Sequence, residues 1–509
     1  MKNKIVVLIT VLIISAFYQG CTNLEEEVYD KLPVDEFGKT TKEINSLIAP
    51  IYRTFKDIFP TNFVYLSECS GDMAIVPTRK GGDWWDGGLF KELRIHKWTP
   101  NTAAIRGPYN AAVKNISVCN KIYSIVEENP AIDNKEITLA EIRGVRAFWY
   151  YLLCDYYGNV PIVTNFKDTS NPVTKTRKEV YNFIINELNA IKDIVRSDVT
   201  AASYGKITKG FVYTLLAKMY LNSLVWNPDG GAKWTECMNA CNEVMKLPYV
   251  IEPNYKASFV AQNQNSKEII FPCVFSVDDG GNRMHRYTLH YLDRLVFHLN
   301  VTPYNGICAM PDYVKSFDPD DRRYAWSFIT GPMIDPTSGK VIITAHGREL
   351  IHYVDVTKKY NIDADGWGQV EQEDGARCGK WEFENGLSAW MENDFAIFRL
   401  ADVYLMKAEC LVRLGQDNAE ATRLVNELRK RAFIHTGKLK SSVNLDDIYN
   451  ERRFELAWEI SCRQDMIRFG KFLNPIPGWK TSSASIYLLF PIPQTALDAN
   501  PGLRQNPGY

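Results

Sequence analysis

Apolar residues return every three to four positions over most of this chain, in runs that come in neighbouring pairs. Residues 103–128 carry Ala104, Ala111, Val118, Ile122 and Ile125 at that spacing. Residues 136–157 repeat it and stop at Gly158, with Pro161 just beyond. Glycine and proline in those places are ordinary helix endings. Further runs cover 178–196 (Ile184, Leu188, Ile191), 208–226 and 234–247. Three more cover 396–415, ending at Gly415, then 418–433 and 445–469. The last follows Asn444 and carries Asp446 and Asp447 in its first turn, where negative charge suits the helix dipole. A stripe of this period is a one-sided helix that must be covered by another. The expected fold is mainly α.

Amphipathic helices paired through short turns predict helical-hairpin repeats of the tetratricopeptide-like kind. Ala217, Tyr220 and Leu221 in one pair, and Ala401, Tyr404, Leu405 and Ala408 in another, give the small-then-bulky pattern such hairpins pack with. The helical scaffold is expected at about 41–248 and 396–475. Between them, residues 249–395 are rich in Gly, Pro, Asp and aromatics, with short apolar runs such as Glu268-Ile269-Ile270-Phe271-Pro272. This stretch is expected to be a loop-rich insertion containing short strands. Insertions of that length are functional or disordered, and its aromatic content argues against disorder.

The N-terminus sets the compartment. Lys2 and Lys4 precede the apolar run Ile5 to Phe17, followed by Tyr18-Gln19-Gly20-Cys21. This is the order of a secretion signal, expected over residues 1–20. The apolar run falls short of the about 20 residues that a membrane span requires. Cys21 after Gly20 resembles a bacterial lipoprotein box, and lipidation there would hold the protein on a membrane without crossing it. Glu25, Glu26 and Glu27 resemble the surface-export signal of Bacteroidetes-type lipoproteins. Residues 21–509 are then the mature chain, expected to be soluble apart from the lipid. With 59 basic and 60 acidic residues the net charge is −1, and no basic stripe favours nucleic acid as a partner. Cys237 and Cys241 lie one helical turn apart, but no His or Cys pair nearby completes a zinc set. No metal and no cofactor is expected.

One segment breaks the helical rhythm. Gly81 to Gly88 reads GGDWWDGG, with Trp84 and Trp85 between Asp83 and Asp86 and two Gly-Gly pairs. Glycine pairs mark turned surface backbone. Indole faces on such a loop suit the C–H face of a sugar ring, and the carboxylates can accept from its hydroxyls. The competing reading folds both rings back as a plug over the core.

Four segments together resemble the SusD/RagB family of outer-membrane glycan-binding lipoproteins. They are RAFWYYLLCDYYGNVPIVT (Arg146 to Thr164), NDFAIFRLADVYLMKAECLVRLG (Asn393 to Gly415) continuing into VNELRKRA, ERRFELAWE (Glu451 to Glu459) followed by RQDMIRFGKF, and LFPIPQTALDANPGLRQNPGY at the end. Ile460-Ser461-Cys462 departs from the glycine and arginine usual in the family. The physical content of the motifs is architectural: Phe148, Trp149, Leu152 and Leu153 pack hairpin on hairpin, Arg399 and Asp402 are spaced to pair with each other or with neighbours, and Glu451, Arg452, Arg453 and Glu455 tie helix faces.

The resemblance implies a glycan site on loops away from the repeats. It implies Trp85 and Trp84 as the platform, with Asp72, Arg79 and Asp83 as hydrogen-bond partners and Trp98 packed beneath the loop. A second loop, VTPYNGICAMPDYV (Val301 to Val314), would add Tyr304 as a platform and Asn305 for a hydroxyl, against the plainer reading of an Asn-Gly turn. Trp326, Trp367, Trp381 and Trp390 rank lower, since no glycine-rich context exposes them. The implied partners are a poly- or oligosaccharide and a SusC-like TonB-dependent transporter, at the outer membrane and facing outward. The alternatives are a glycoside hydrolase or a binder of another nutrient such as peptide. A hydrolase needs two carboxylates about 5–5.5 Å or about 6.5–9.5 Å apart, which Asp83 and Asp86 could supply. No Ser–His–Asp signature and no His-Glu-x-x-His is present among the seven histidines. A non-enzymatic binder is expected.

Overall fold

The computed structural model describes residues 39–276, 278, 280–356 and 370–509. The signal segment, Cys21, Glu25 to Glu27 and Trp367 lie outside the described residues.

Helices begin where local chemistry satisfies their free N–H groups. Thr40 caps Thr41–Ile58 in a reciprocal box with Glu43, and Thr176 caps Arg177–Ile191 the same way with Glu179. Ala103–Glu128 and Lys135–Tyr156 pack together, and Arg177–Ile191 lies against the second of them. Lys209–Leu221 and Trp234–Met245 form the next pair. Leu400–Arg413 then packs on both of these and on Asn418–Ala432. The scaffold is therefore continuous in space although some 150 residues separate its halves in sequence. The helical fold expected from the periodicity is the fold observed.

Aromatic rings fill the junction. Phe55 stacks on Trp149 at 4.8 Å, and Phe211 meets Phe271 edge-on at 4.7 Å. Phe148 touches Phe55, Phe211, Phe271 and Phe398. Two of these rings sit on strands: Ile269–Cys273 pairs antiparallel with Phe395–Arg399, joining the chain where it leaves the scaffold to the chain where it returns. The run expected as helix from 396 thus opens as strand, and the helix starts at Leu400. A second small pair, Ala74–Ile75 with Cys308–Ala309, brings the GGDWWDGG loop beside the Val301 to Val314 loop.

The run expected as one helix over 445–469 is two, Leu445–Glu455 and Cys462–Arg468. Between them Trp458 and Ile460 have φ of 69° and 61°, left-handed backbone that no helix continues through. Trp458 is held there by its indole N–H, which donates to the Ser327 carbonyl at 3.1 Å.

The break positions a buried charge cluster. Glu455 accepts from Arg399 at 2.7 Å, Arg431 at 2.5 Å and Arg323 at 3.0 Å. Glu268 takes Arg399 at 2.8 Å and Arg431 at 2.6 Å. Asp402 is bridged by Lys218 at 2.6 Å and Arg452 at 2.8 Å. Arg399 and Asp402 therefore pair with neighbouring elements rather than with each other. Burial raises the Glu268, Glu455 and Asp402 carboxyls, but the surrounding cations outweigh it and hold all three below the usual carboxylate range. The ten cysteines among the described residues are buried thiols. No helix among the described residues is long and apolar enough to cross a membrane.

Candidate functional site

The strand pair Ala74–Ile75 with Cys308–Ala309 sets two loops side by side, one carrying the tryptophans and the other Tyr304 and Asn305. The two tryptophans do different things. Trp84 has a φ of 65°, a costly conformation for a large side chain. Its indole N–H donates to the Tyr304 carbonyl at 2.7 Å. Its ring lies against Phe90 and Tyr287, with centroids 5.8 and 6.2 Å away. Gly306 makes room for it: a Cβ there would stand 2.5 Å from the indole. Trp84 thus follows the plug reading in part, as a half-buried rivet between the loops. Trp85 is 40 % exposed and offers its ring to solvent.

Asp83 stays on the surface, where its carboxylate accepts the Tyr291 hydroxyl. Burial and that carboxylate push the Tyr291 hydroxyl up. Tyr304 is 36 % exposed, and Tyr287 meets it edge-on at 5.7 Å. The Arg286 guanidinium lies over the Tyr304 ring, 4.5 Å from its centroid, and donates to its hydroxyl. One face of that ring is therefore already occupied. Beyond Arg286, Arg283 lies 4.0 Å over the half-buried ring of Trp390.

Four residues sit otherwise than the sequence leads one to expect. Arg79 is fully buried, and its guanidinium donates to the carbonyls of Asn305 at 2.9 Å, Gly306 at 3.1 Å and Asp374 at 2.7 Å. It braces the second loop from behind and presents nothing to a ligand. Asn305 is equally buried, with a φ of 57°, and its amide donates to the Gln372 carbonyl at 3.0 Å. This is the plainer turn reading. The Asp72 carboxylate pairs with Arg453 at 3.2 Å and accepts from the Cys462 thiol at 3.2 Å, so it is engaged with the C-terminal helices. Trp98 is buried as expected, but beneath the C-terminal segment: its N–H donates to the Tyr509 hydroxyl at 2.7 Å and its ring meets Phe490 at 4.6 Å. Of the lower-ranked tryptophans, Trp381 is buried and Trp326 stacks on Tyr255 at 5.4 Å.

What comes together is Trp85, Trp84, Tyr304 and Asp83, with Tyr287, Tyr291, Arg283 and Arg286 added by the fold. These last four are not expected from the sequence. The one available signal is the Arg283-x-x-Arg286-Tyr287 spacing shortly before the second loop.

Likeness to known proteins decides the family. Residues 24–221 match the family described as starch-binding, associating with outer membrane, and residues 267–476 match the SusD family. This chain belongs to the SusD family. It is 26 % identical over 465 residues to the starch-binding protein SusD of Bacteroides thetaiotaomicron, covering 84 % of this chain and 82 % of that one. Among solved structures, a SusD superfamily protein from Parabacteroides distasonis superposes with a TM-score of 0.74 at 22 % identity, over 92 % of this chain and 100 % of that one. The surface glycan-binding protein A of Bacteroides thetaiotaomicron, solved with laminarihexaose, gives 0.72 at 19 % identity, over 92 % and 99 %. The SusD-family fold accounts for the discontinuous helical scaffold. Two of these, SusD and the surface glycan-binding protein A, are named as binding proteins.

Proposed function

We propose that this chain is a non-enzymatic glycan-binding lipoprotein, anchored through Cys21 at the outer face of the outer membrane and passing poly- or oligosaccharide to a SusC-like TonB-dependent transporter. The observation that carries the binding reading is the exposed Trp85 ring, next in the chain to Trp84, whose indole N–H ties this loop to the one carrying the exposed Tyr304, the two loops making a shelf. A sugar ring laid on the Trp85 indole takes its apolar C–H face out of water. Asp83 and the exposed Asp86 supply acceptors for sugar hydroxyls, and the Tyr291 oxygen, its proton already given to Asp83, can accept as well. Contacts of this size give modest affinity, and repeats along a polymer add avidity, which suits capture followed by release. The names of the relatives and the outer-membrane description of the family support the same reading.

The test is affinity electrophoresis through gels containing single polysaccharides. Retardation by at least one polymer, lost in Trp85→Ala with the melting temperature unchanged, is the expected result. A collapse of the melting temperature would make Trp85 a structural plug. New reducing ends released by the pure protein, and abolished in Asp83→Asn or Asp86→Asn, would replace this reading with a hydrolase. Cys21→Ala should shift the protein from the membrane fraction to the soluble fraction, and co-purification with the transporter in mild detergent tests the partner.

A further inference from the structure

Two arginines stand beside the shelf with no carboxylate to neutralise them. Arg283 lies over Trp390 and Arg286 over Tyr304, their guanidinium carbons 4.0 and 4.5 Å from the ring centroids. The short helix Met284–Thr288 fixes their spacing, and Asn282, next to Arg283, bridges to Met391, next to Trp390. Neither arginine has an ion-pair partner among the described residues. Nε of Arg286 is buried and unpartnered. The two charges are close enough that Arg283 adds to burial in disfavouring the charged form of Arg286. In the buried ion clusters of the scaffold each arginine faces acids, as at Arg323, Arg399, Arg431 and Arg468.

A guanidinium lying flat on an aromatic ring keeps its N–H groups in the plane, pointing outward around the ring edge. Those donors form a fork that matches two oxygens of one anionic group. Arg283 offers such a fork. Arg286, its Nε buried and its Nη2 donating to the Tyr304 hydroxyl, adds its remaining terminal N–H group and its charge. Two mutually repelling cations gain more from an arriving oxyanion than from water.

We infer that the shelf takes an anionic glycan, with a sugar ring on Trp85 and the carboxylate of a uronic acid or a sulfate ester held by Arg283 and Arg286. This rests on the shelf being a glycan site, and it adds the class of glycan. The full mature chain can be tested against three polymers: polygalacturonate, the sulfated galactan carrageenan, and the neutral β-glucan laminarin. Tighter binding to an acidic polymer than to laminarin is expected, weakening with added salt. Retention by polygalacturonate alone assigns a carboxylate, and by carrageenan alone a sulfate ester. The double variant Arg283→Gln/Arg286→Gln should lose about tenfold to a hundredfold in affinity for the acidic polymer, the range for hydrogen bonds to charged groups. Any laminarin binding should fall less than acidic-polymer binding, since Arg286 also steadies the Tyr304 ring, so the ratio of acidic to neutral affinity is the readout. Arg283→Lys/Arg286→Lys keeps the charge without the fork and should fall between. Trp85→Ala should weaken every polymer that binds. Binding of laminarin alone, or an acidic-polymer affinity unmoved in the Gln variant, overturns the inference and leaves the glycan reading standing. Absence of binding to all three polymers and to a broader neutral panel overturns both.

Discussion

Two regions of this molecule handle charge in opposite ways. Around Glu455, five arginine and glutamate side chains from distant segments are buried and matched, each cation facing at least one carboxylate. Around Tyr304, two arginines lie on aromatic faces without a matching acid. The first arrangement is complete in itself and accepts no further group. The second is held in shape by ring contacts, the Trp84 hydrogen bond and the Arg79 guanidinium behind the loop, none of which neutralises Arg283 or Arg286. A buried pair broken on one side leaves a stranded ion. A surface guanidinium removed from an aromatic ring leaves only a smaller contact.

That contrast can be attacked from either side. The largest effect is expected at the core. Glu455→Ala strands Arg323, Arg399 and Arg431 together and should cost about 3–5 kcal/mol in urea unfolding. A loss well under about 1 kcal/mol would mean that water reaches the cluster. Acid should attack the same region. The Glu268, Glu455 and Asp402 carboxyls are held below their usual range, so their contribution is present above the unfolded carboxylate values near 4 and disappears as pH falls through the folded ones. Glu68 behaves in the reverse sense. Burial lifts its carboxyl to about 8, and it has no ion-pair partner among the described residues. The unfolded chain releases that proton near pH 4.5 while the folded chain keeps it, so stability should decline between roughly pH 4.5 and 8. Glu68→Gln should flatten that slope in melting temperatures taken across the range, and an unchanged slope would show the decline to lie elsewhere.

Smaller effects are expected at the shelf. Gly306→Ala drives a methyl to within 2.5 Å of the Trp84 indole and 2.8 Å of the Tyr287 carbonyl, so the hydrogen-bonded ring must shift. Glycan retention in the affinity gel should drop about tenfold or more while the melting temperature falls by only a few degrees. Retention equal to wild type would show that the loops hold each other by other means. Trp85→Ala should do least to stability, within about 0.5 kcal/mol as for a surface change, and most to recognition.

The scaffold was legible because helical periodicity is a property of single segments. Ala103–Glu128, Trp234–Met245 and Asn418–Ala432 end within two residues of the expected bounds. The 445–469 run misled because its apolar pattern continues through Trp458 and Ile460, whose left-handed backbone is imposed by tertiary contacts such as the Trp458–Ser327 bond. The shelf was half legible. Glycine pairs beside tryptophan announce a special loop, and Trp85 is exposed in it. Arg79 and Asn305 were misjudged because polar residues in a loop read as surface. Here the loops needed internal donors for their own carbonyls, and the buried arginine supplies them. Beyond the Arg283-x-x-Arg286-Tyr287 spacing nothing local announces the two arginines, since an arginine without a partner is a fact about every neighbouring segment at once.

The hydrogen bond from Trp84 to the Tyr304 carbonyl spans 220 positions of sequence. Its consequence is that the two loops operate as a single cartridge. Transplanting the tryptophan loop alone into a relative would deliver a side chain with no seat, and transplanting the tyrosine loop alone would leave a glycine notch with no occupant. On the glycan site proposed above, exchanging the recognition surface means exchanging both loops together.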